Sequence, residues 1–327
     1  MDLNERIRVH LTEQLGAPVD SVEARPLPGG ACQDNLRVSA KMGEQSLRLV
    51  LRSDARMGLP GSLGRATERL VIDAAVTAGV PTPAARWPIA NLLREGADAY
   101  FLDFAPGVAI GAKVTRDPAL AAARQRLPEQ LAAALAAVHR VKPAGGPPLH
   151  APADPVAQSL QVLRDTLDEL PDPRPALELA FRWLERNRPK VDEVVLTHGD
   201  FRTGNFLVTP EGLSAVLDWE FAHYGAPVED IGWLCVRDWR FGAPELPAGG
   251  LCSRKRFCDA YSQASGRSVN MAELRWWEVY GNVRWAGGAL MQGQRVMRGQ
   301  ARDLELLAIP WRSAEMEYEA LRLIGGA

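Results

Sequence analysis

The chain has 327 residues, of which 46% are hydrophobic and 24% charged, and its formal net charge is −2. This composition excludes a disordered chain, and the near-neutral charge gives no electrostatic reason to bind nucleic acid or an anionic membrane. No apolar stretch reaches the roughly 18 residues of a membrane-spanning helix, and the charged N-terminal residues do not form a secretory signal. We therefore expect a cytoplasmic protein that binds neither nucleic acid nor membrane. Four cysteines fit no zinc template and are expected to be free thiols: Cys32, Cys235, Cys252 and Cys258.

The first third of the chain predicts a small α+β unit. Its elements are a helix near 7–15, a Pro/Gly-rich break at 26–30, strands at 35–40 and 46–53, a helix at 62–77 and a strand at 99–104. We predict a nucleotide-binding lobe over residues 1–105, with a hinge near 103–107.

The rest of the chain, residues 106–327, predicts a larger and mainly helical lobe that carries the catalytic and acceptor-binding residues. The predicted helices lie at 127–138, 156–170, 175–187 and, rich in Trp and Arg, between 229 and 324. The predicted strands lie at 194–197, 206–208 and 213–217, and a turn at 210–212 joins the last two into a hairpin.

The most informative segment reads His198-Gly-Asp200-Phe-Arg-Thr-Gly-Asn205 and is followed by Asp218. Asn205 opens the predicted hairpin and Asp218 closes it, so the two side chains should lie near one another. Oxygen ligands of this kind suit Mg²⁺, which leaves Asp200 to accept a proton from an attacking hydroxyl. Protein kinases use the same spacing of Asp, Asn and a metal-binding Asp for phosphoryl transfer.

Together with Leu217-Asp-Trp-Glu220, this segment resembles the aminoglycoside phosphotransferase and choline kinase-like family of small-molecule kinases. It looks closest to the branch found fused to acyl-CoA dehydrogenases. The resemblance implies an α+β, two-lobed protein kinase-like fold with a small N-terminal sheet lobe and a larger, mainly helical C-terminal lobe. It also implies ATP and Mg²⁺ as cofactors, Asp200 as the base, and Asn205 and Asp218 as magnesium ligands.

The resemblance extends to the nucleotide side. Gly29 and Gly30 look like the nucleotide-covering loop, and Glu68 looks like the helix glutamate that pairs with a nucleotide-binding basic residue. Where the family usually has a lysine this chain has Arg52, whose guanidinium can also hold phosphate. Asp103, at the end of the last strand before the hinge, completes the predicted nucleotide-binding set.

Several residues of the motif region have two interpretations. His198 is grouped with the catalytic candidates but is expected to hydrogen-bond the loop backbone. Arg202 meets the transferring phosphate or the substrate, or else covers the hairpin. Glu220 is a second metal contact or a surface charge, and Asp230 is expected to accept hydrogen bonds from the catalytic loop. The tryptophans at 233, 276, 277 and 285 are expected in the core, and the alternative for some of them is an acceptor pocket that they line with Arg284.

These observations predict an ATP- and Mg²⁺-dependent phosphotransferase that acts on a small-molecule hydroxyl. The many arginines of residues 230–327 favour an anionic or neutral acceptor over a polycationic aminoglycoside. The branch suggests a hydroxy acid or its acyl thioester. The alternatives are an aminoglycoside-type antibiotic kinase, a nucleotide-binding pseudokinase, for which Arg52 is the support, and a hydrolase that uses the same carboxylates.

Overall fold

The computed structural model describes residues 1–27, 34–55, 58–300 and 304–326. It has a small N-terminal lobe built on an antiparallel sheet and a larger, mostly helical C-terminal lobe, which confirms the predicted fold class. The strands are β1 (Ser21–Pro26), β2 (Asp34–Met42), β3 (Gln45–Ser53), β4 (Ala85–Ala90), β5 (Asp98–Asp103), β6 (Val195–Thr197), β7 (Phe206–Thr209), β8 (Gly212–Val216) and β9 (His223–Gly225). The helices are α1 (Leu3–Leu15), α2 (Arg65–Thr77), α3 (Gly111–Arg116), α4 (Ala121–Val138), α5 (Pro155–Asp168), α6 (Pro175–Arg186), α7 (Pro227–Leu234), α8 (Arg254–Ser265), α9 (Met271–Met297), α10 (Leu304–Ala308) and α11 (Ser313–Ile324). Short 3₁₀ helices lie at Pro118–Leu120, Arg237–Arg240 and Ile309–Arg312.

The N-terminal sheet has the strand order β1-β2-β3-β5-β4, with every neighbouring pair antiparallel. The sequence did not predict the two edge strands, β1 and β4. In β4 the pairing is interrupted between Arg86 and Ile89, a stretch that contains Pro88. Proline cannot donate to a sheet and is tolerated at edges and bulges, so this strand has a weak sequence signal.

The two faces of this sheet pack against different partners. On one face, Ile7 and Leu11 of α1 form a small core with residues such as Leu49 and Phe101. On the other side, α2 contributes Val71, Ile72 and Ala75 to the large core of the C-terminal lobe, together with Tyr100 and Leu102 of β5. Helix α2 is therefore attached to both lobes.

The connection between the lobes lies directly on the predicted hairpin. Val108 and Val208 exchange backbone hydrogen bonds of 2.9 and 3.0 Å. Gly107, at φ +136°, approaches so closely that a Cβ there would lie 3.0 Å from the nitrogen of Val208. A glycine is needed at this position for both conformation and space. The division at residues 103–107 into two domains stays a prediction.

The short strands of the C-terminal lobe follow the predicted pattern. Strands β7 and β8 form a hairpin in which Phe206 pairs with Val216, which confirms the predicted hairpin. Strand β6 pairs with β9, which the sequence did not predict. Strand β6 packs against α7, and the loop that follows β6 carries part of the candidate site.

The composition also led to expectations about membrane-spanning helices and about the state of the cysteines. Within the described ranges, the helices are all too short or too polar to cross a bilayer. Cys235, Cys252 and Cys258 are buried free thiols, as predicted, and Cys32 lies outside the described residues.

Candidate active site

The loop after β6 is shaped by a buried carboxylate, Asp230, on the first turn of α7. Its Oδ2 accepts the backbone N–H of His198 at 2.7 Å, and its Oδ1 accepts that of Gly199 at 2.9 Å. Burial opposes ionisation of Asp230, but the hydrogen bond and charge of His139 outweigh it and lower the pKa of Asp230. Gly199 has φ +74°, and a Cβ there would lie 2.1 Å from the carbonyl oxygen of Phe221. The prediction that Asp230 accepts hydrogen bonds from this loop is confirmed.

His198 binds the backbone with both ring nitrogens. Nε2 lies 3.0 Å from the carbonyl oxygen of Leu217 and donates to it, so Nδ1 is free to accept the N–H of Asp200 at 3.2 Å. The ring is fully buried against Trp219, with 4.5 Å between centroids, and burial lowers the pKa of His198. These contacts make His198 a neutral residue that shapes the loop and leave neither nitrogen for a substrate.

Three side chains orient the carboxylate of Asp200. The indole Nε1 of Trp233 donates to Oδ1 at 2.7 Å, and Nδ2 of Asn205 donates to Oδ2 at 2.6 Å. Nε of Arg202 lies 3.1 Å from both oxygens. Asn205 Nδ2 also binds the backbone carbonyl of Asp200 at 3.0 Å, so its own Oδ1 is the amide atom left for another ligand. The structure brings Asp200 and Asn205 together, as the motif predicts, and the sequence gave no signal for the bond from Trp233.

Asn205 and Asp218 flank the β7–β8 hairpin, as predicted. The N–H of Leu217 donates to the carbonyl of Asn205 at 2.8 Å, which closes the hairpin mouth. Asp218 adopts φ +70°, a left-handed conformation that Asp tolerates better than most residues. Its side chain is 26% exposed, and Oδ1 accepts a 3.0 Å bond from Nη2 of Arg52. The amide oxygen of Asn205 and the partly exposed carboxylate of Asp218 thus fit the oxygen chemistry of Mg²⁺.

Arg52, on β3, joins the two lobes at this point. Its Nη2 lies 3.0 Å from Oε1 of Glu68 on α2, as well as 3.0 Å from Asp218. Burial opposes the charge of Arg52, but Glu68, Tyr100 and Asp218 raise its pKa well above the ordinary value, so the guanidinium stays charged. The hydroxyl of Tyr100 donates to Oε2 of Glu68 at 2.5 Å, and burial next to Glu68 raises the pKa of Tyr100. The pairing of Glu68 with a basic strand residue is the contact that the family resemblance implies.

A second buried arginine, Arg65, was missed by sequence reasoning. It begins α2 one turn before Glu68, pairs with Glu68, and places Nη2 3.0 Å from Oε2 of Glu220. Glu220 is only 6% exposed, so its interpretation as a surface charge is wrong. Burial and the nearby charge of Asp218 raise the pKa of Glu220. Arg65 and Glu220 are 155 residues apart, so only the i,i+3 spacing of Arg65 and Glu68 was readable from the sequence.

The remaining predicted nucleotide-binding residues lie apart from this cluster or outside the described residues. Asp103 has an exposed carboxylate that accepts bonds of 3.0 and 2.9 Å from Nε of Arg86. The structure therefore pairs Asp103 with Arg86 and does not bring it to Arg52. Gly29 and Gly30 lie outside the described residues.

Near Asp200, two further guanidinium groups lie over tryptophan rings. Arg202 lies 4.4 Å from the ring centroid of Trp239, and Arg284 lies 4.5 Å from that of Trp233. The two rings are 5.6 Å apart, and Nη1 of Arg284 donates to the carbonyl of Gly199 at 3.2 Å. The tryptophans predicted for the core are buried: Trp233, Trp276, Trp277 and Trp285. Arg284 contacts Trp233 in this group, and its part in an acceptor pocket stays a prediction, whereas Trp239 was not singled out by the sequence.

This geometry combines an oriented carboxylate, side-chain oxygens at a hairpin mouth, a buried cluster of arginine–carboxylate pairs, and two guanidinium groups stacked on tryptophan rings. It can remove a proton from a hydroxyl at Asp200 while cationic groups bind phosphate beside it.

Comparisons with known proteins agree with this geometry. Residues 23–277, more than half of the chain, match the phosphotransferase enzyme family. Acyl-CoA dehydrogenase family member 10 of Mus musculus is 26% identical over 199 residues, which are 54% of this chain and 17% of that protein. The chain thus spans about one-sixth of the length of this relative.

Solved structures show the same fold. A chain from Ralstonia eutropha JMP134 assigned as an aminoglycoside phosphotransferase has a TM-score of 0.76 at 22% identity, covering 99% of this chain and 98% of that one. A choline/ethanolamine kinase family protein from Mesorhizobium loti has a TM-score of 0.62 at 15% identity, covering 99% and 95%. A spectinomycin phosphotransferase, in complex with ADP and spectinomycin, has a TM-score of 0.59 at 15% identity, covering 97% and 98%.

Proposed function

Because the chain belongs to the phosphotransferase enzyme family, we propose that it transfers the γ-phosphate of ATP to a hydroxyl of a small molecule, with Asp200 as the general base. The observation that carries the proposal is the fixed carboxylate of Asp200, held at 2.6 and 2.7 Å by Asn205 and Trp233. As the hydroxyl gives its proton to Asp200, its oxygen attacks the γ-phosphorus and the bond to ADP breaks. The ADP bound to the spectinomycin phosphotransferase supports a nucleotide donor.

The residues around Asp200 divide into two groups in this proposal. Asn205 Oδ1 and Asp218 would hold Mg²⁺, which supplies positive charge beside the phosphates when bound. Arg52, aligned by Glu68, binds phosphate oxygens. Glu220, whose carboxylate is held by Arg65, is the proposed second metal contact on this side of the site. The proposed nucleotide lobe is residues 1–105, and residues 106–327 form the proposed catalytic and acceptor lobe.

The acceptor that this site suits best is a hydroxy acid or a hydroxyacyl thioester. Arg202 and Arg284 place two cations on the acceptor side of Asp200, where an anionic group would be attracted and a polycation repelled. Similarity to an acyl-CoA dehydrogenase family member agrees with an acyl substrate. An aminoglycoside-type kinase is the second candidate, favoured by the fold of the spectinomycin enzyme. A pseudokinase remains the alternative from another class, since Arg52 replaces the usual lysine.

The test is an acceptor screen with Mg-ATP, in which ADP formation is measured for the wild type and for Asp200→Asn. We expect ADP formation with hydroxy acids or hydroxyacyl thioesters, and a loss of at least about 100-fold in kcat for Asp200→Asn because the base is removed. Asp259→Asn is the matched control, since this carboxylate is exposed on α8 and pairs with Lys255. It should behave as the wild type.

Each other outcome identifies a different alternative. Turnover with aminoglycosides alone would support the antibiotic kinase. Nucleotide binding with no Asp200-dependent turnover on any acceptor would support the pseudokinase, and phosphate release at full rate without an acceptor would support a hydrolase.

A further inference from the structure

Both carboxylate oxygens of the proposed base accept hydrogen bonds, and one of the three donors differs from the others. Trp233 and Asn205 are buried, uncharged donors with short bonds to Asp200, whereas the two contacts of Arg202 Nε are longer, at 3.1 Å. The side chain of Arg202 is 24% exposed, so solvent and ligands reach it. Among these three donors, Arg202 is the one that an incoming anion can displace.

The surroundings of Arg202 are built to hold its guanidinium next to Asp200 without enclosing it. Gly204, at φ +111°, makes the necessary space, because a Cβ there would lie 2.4 Å from Nη1 of Arg202. On the other side the guanidinium lies over the ring of Trp239. Stacking on a ring is compatible with several rotations of the guanidinium in its own plane, so Arg202 can change its carboxylate partner and keep the contact with Trp239.

We propose that Arg202 makes the reaction specific for anionic acceptors, by occupying Asp200 until an anionic group on the acceptor takes the guanidinium. This inference rests on the phosphotransfer proposed above. The freed oxygen of Asp200 then accepts the proton of the acceptor hydroxyl while that hydroxyl oxygen bonds to the γ-phosphorus and ADP leaves. The products are a phosphate ester, ADP and a proton, which Asp200 returns to solvent. Water has no anionic group, so it leaves Arg202 on Asp200 and is a poor acceptor.

The first experiment uses a carboxylate without a hydroxyl. Phosphate release from Mg-ATP is measured for the wild type and Arg202→Gln, with and without butyrate. Butyrate should raise the wild-type rate at least about threefold, because it draws Arg202 away and lets water use Asp200. Arg202→Gln should have a raised rate without butyrate and no response to it. Arg182→Gln, an exposed arginine of α6 paired with Glu185, is the control and should respond as the wild type.

The second experiment compares 3-hydroxybutyrate with 1,3-butanediol, which lacks the carboxylate. The wild type should prefer the hydroxy acid in kcat/KM, and Arg202→Gln should lose most of that preference. If Arg202 serves only the γ-phosphate, the variant loses activity with both alcohols equally and butyrate has no effect on the wild type, which overturns the inference. Phosphorylation of diol and hydroxy acid at equal rates by the wild type would overturn it and leave the proposed phosphotransfer intact. Absence of ADP formation with every acceptor would instead overturn the proposed function itself.

Discussion

The arginines of the proposed nucleotide side and of the proposed acceptor side are held in different ways. On the proposed nucleotide side, Arg52 and Arg65 are buried and paired with carboxylates from both lobes. On the proposed acceptor side, Arg202 and Arg284 are partly exposed and lie over tryptophan rings. A buried ion pair fixes both partners, because breaking it leaves a charge without compensation. A guanidinium on a ring keeps its N–H groups for another anion, so the acceptor side is the adaptable one.

The largest effect, a loss in the free energy of unfolding, is expected from Arg65→Gln. Glu68 and Glu220 would stay buried with less positive charge beside them, so the free energy of unfolding should fall by about 3–5 kcal/mol. Burial and Asp218 already raise the pKa of Glu220, and losing Arg65 raises it further. A raised carboxyl pKa makes the folded state less stable as the pH rises, so the deficit should be larger at pH 8 than at pH 5.5. Urea unfolding of the wild type and of Arg65→Gln at the two pH values measures this loss of stability.

Arg69→Gln on the same helix is the control for Arg65. Its partner Asp73 is near the surface, so the change should stay within about 0.5 kcal/mol. Equal effects of the two variants, or a larger deficit at acid pH, would contradict the assignment of Arg65 to a buried cluster.

A smaller effect, on activity, is expected from Arg52→Gln. Loss of the guanidinium removes the proposed phosphate contact and the link between Glu68 and Asp218, so kcat/KM for ATP should fall about 100-fold. Arg52→Lys keeps the charge as a point cation and should lose less. Steady-state kinetics with varied ATP measures both. Wild-type kinetics for Arg52→Gln would show that Arg52 has no part in nucleotide binding.

The smallest effect, a rise in the KM for the acceptor, is expected from Arg284→Gln. Its stacking on Trp233 is worth about 0.5–1 kcal/mol where solvent reaches it, so stability should change little. The KM for an anionic acceptor should rise while the KM for ATP stays the same, because Arg284 belongs to the proposed acceptor side. If only the KM for ATP changed, Arg284 would belong to the nucleotide side and not to the acceptor side.

The parts of the site that the sequence predicted are those that local geometry determines. Asp200, Asn205 and Asp218 are linked by one loop and one hairpin, whose turn residues are readable. The contacts of Arg65 with Glu220 and of Trp233 with Asp200 depend on the packing of distant elements, and neither residue type signals a partner by itself.

The same distinction holds for the fold. The central strands β2, β3 and β5 have strong apolar patterns and were predicted, whereas the edge strands β1 and β4 pair on one side only. In β1 polar residues stand at Ser21, Glu23 and Arg25, and β4 is interrupted around Pro88. The three residues of β9 are too few for a pattern, and their strand form follows from pairing with β6.

The position of α2 has a consequence for nucleotide exchange. Its apolar side is part of the large core, and the N–H of Leu63, just before it, donates to the carbonyl of Glu220 at 2.7 Å. Helix α2 also packs on β4 and β5, and its Val71 and Ile72 share a core with Tyr100 of β5, so α2 should move together with the sheet. If nucleotide exchange requires a movement between the proposed lobes, the contacts that cross between them are the ones strained: Arg52–Asp218, Arg65–Glu220 and the hydrogen bond of Leu63 to Glu220.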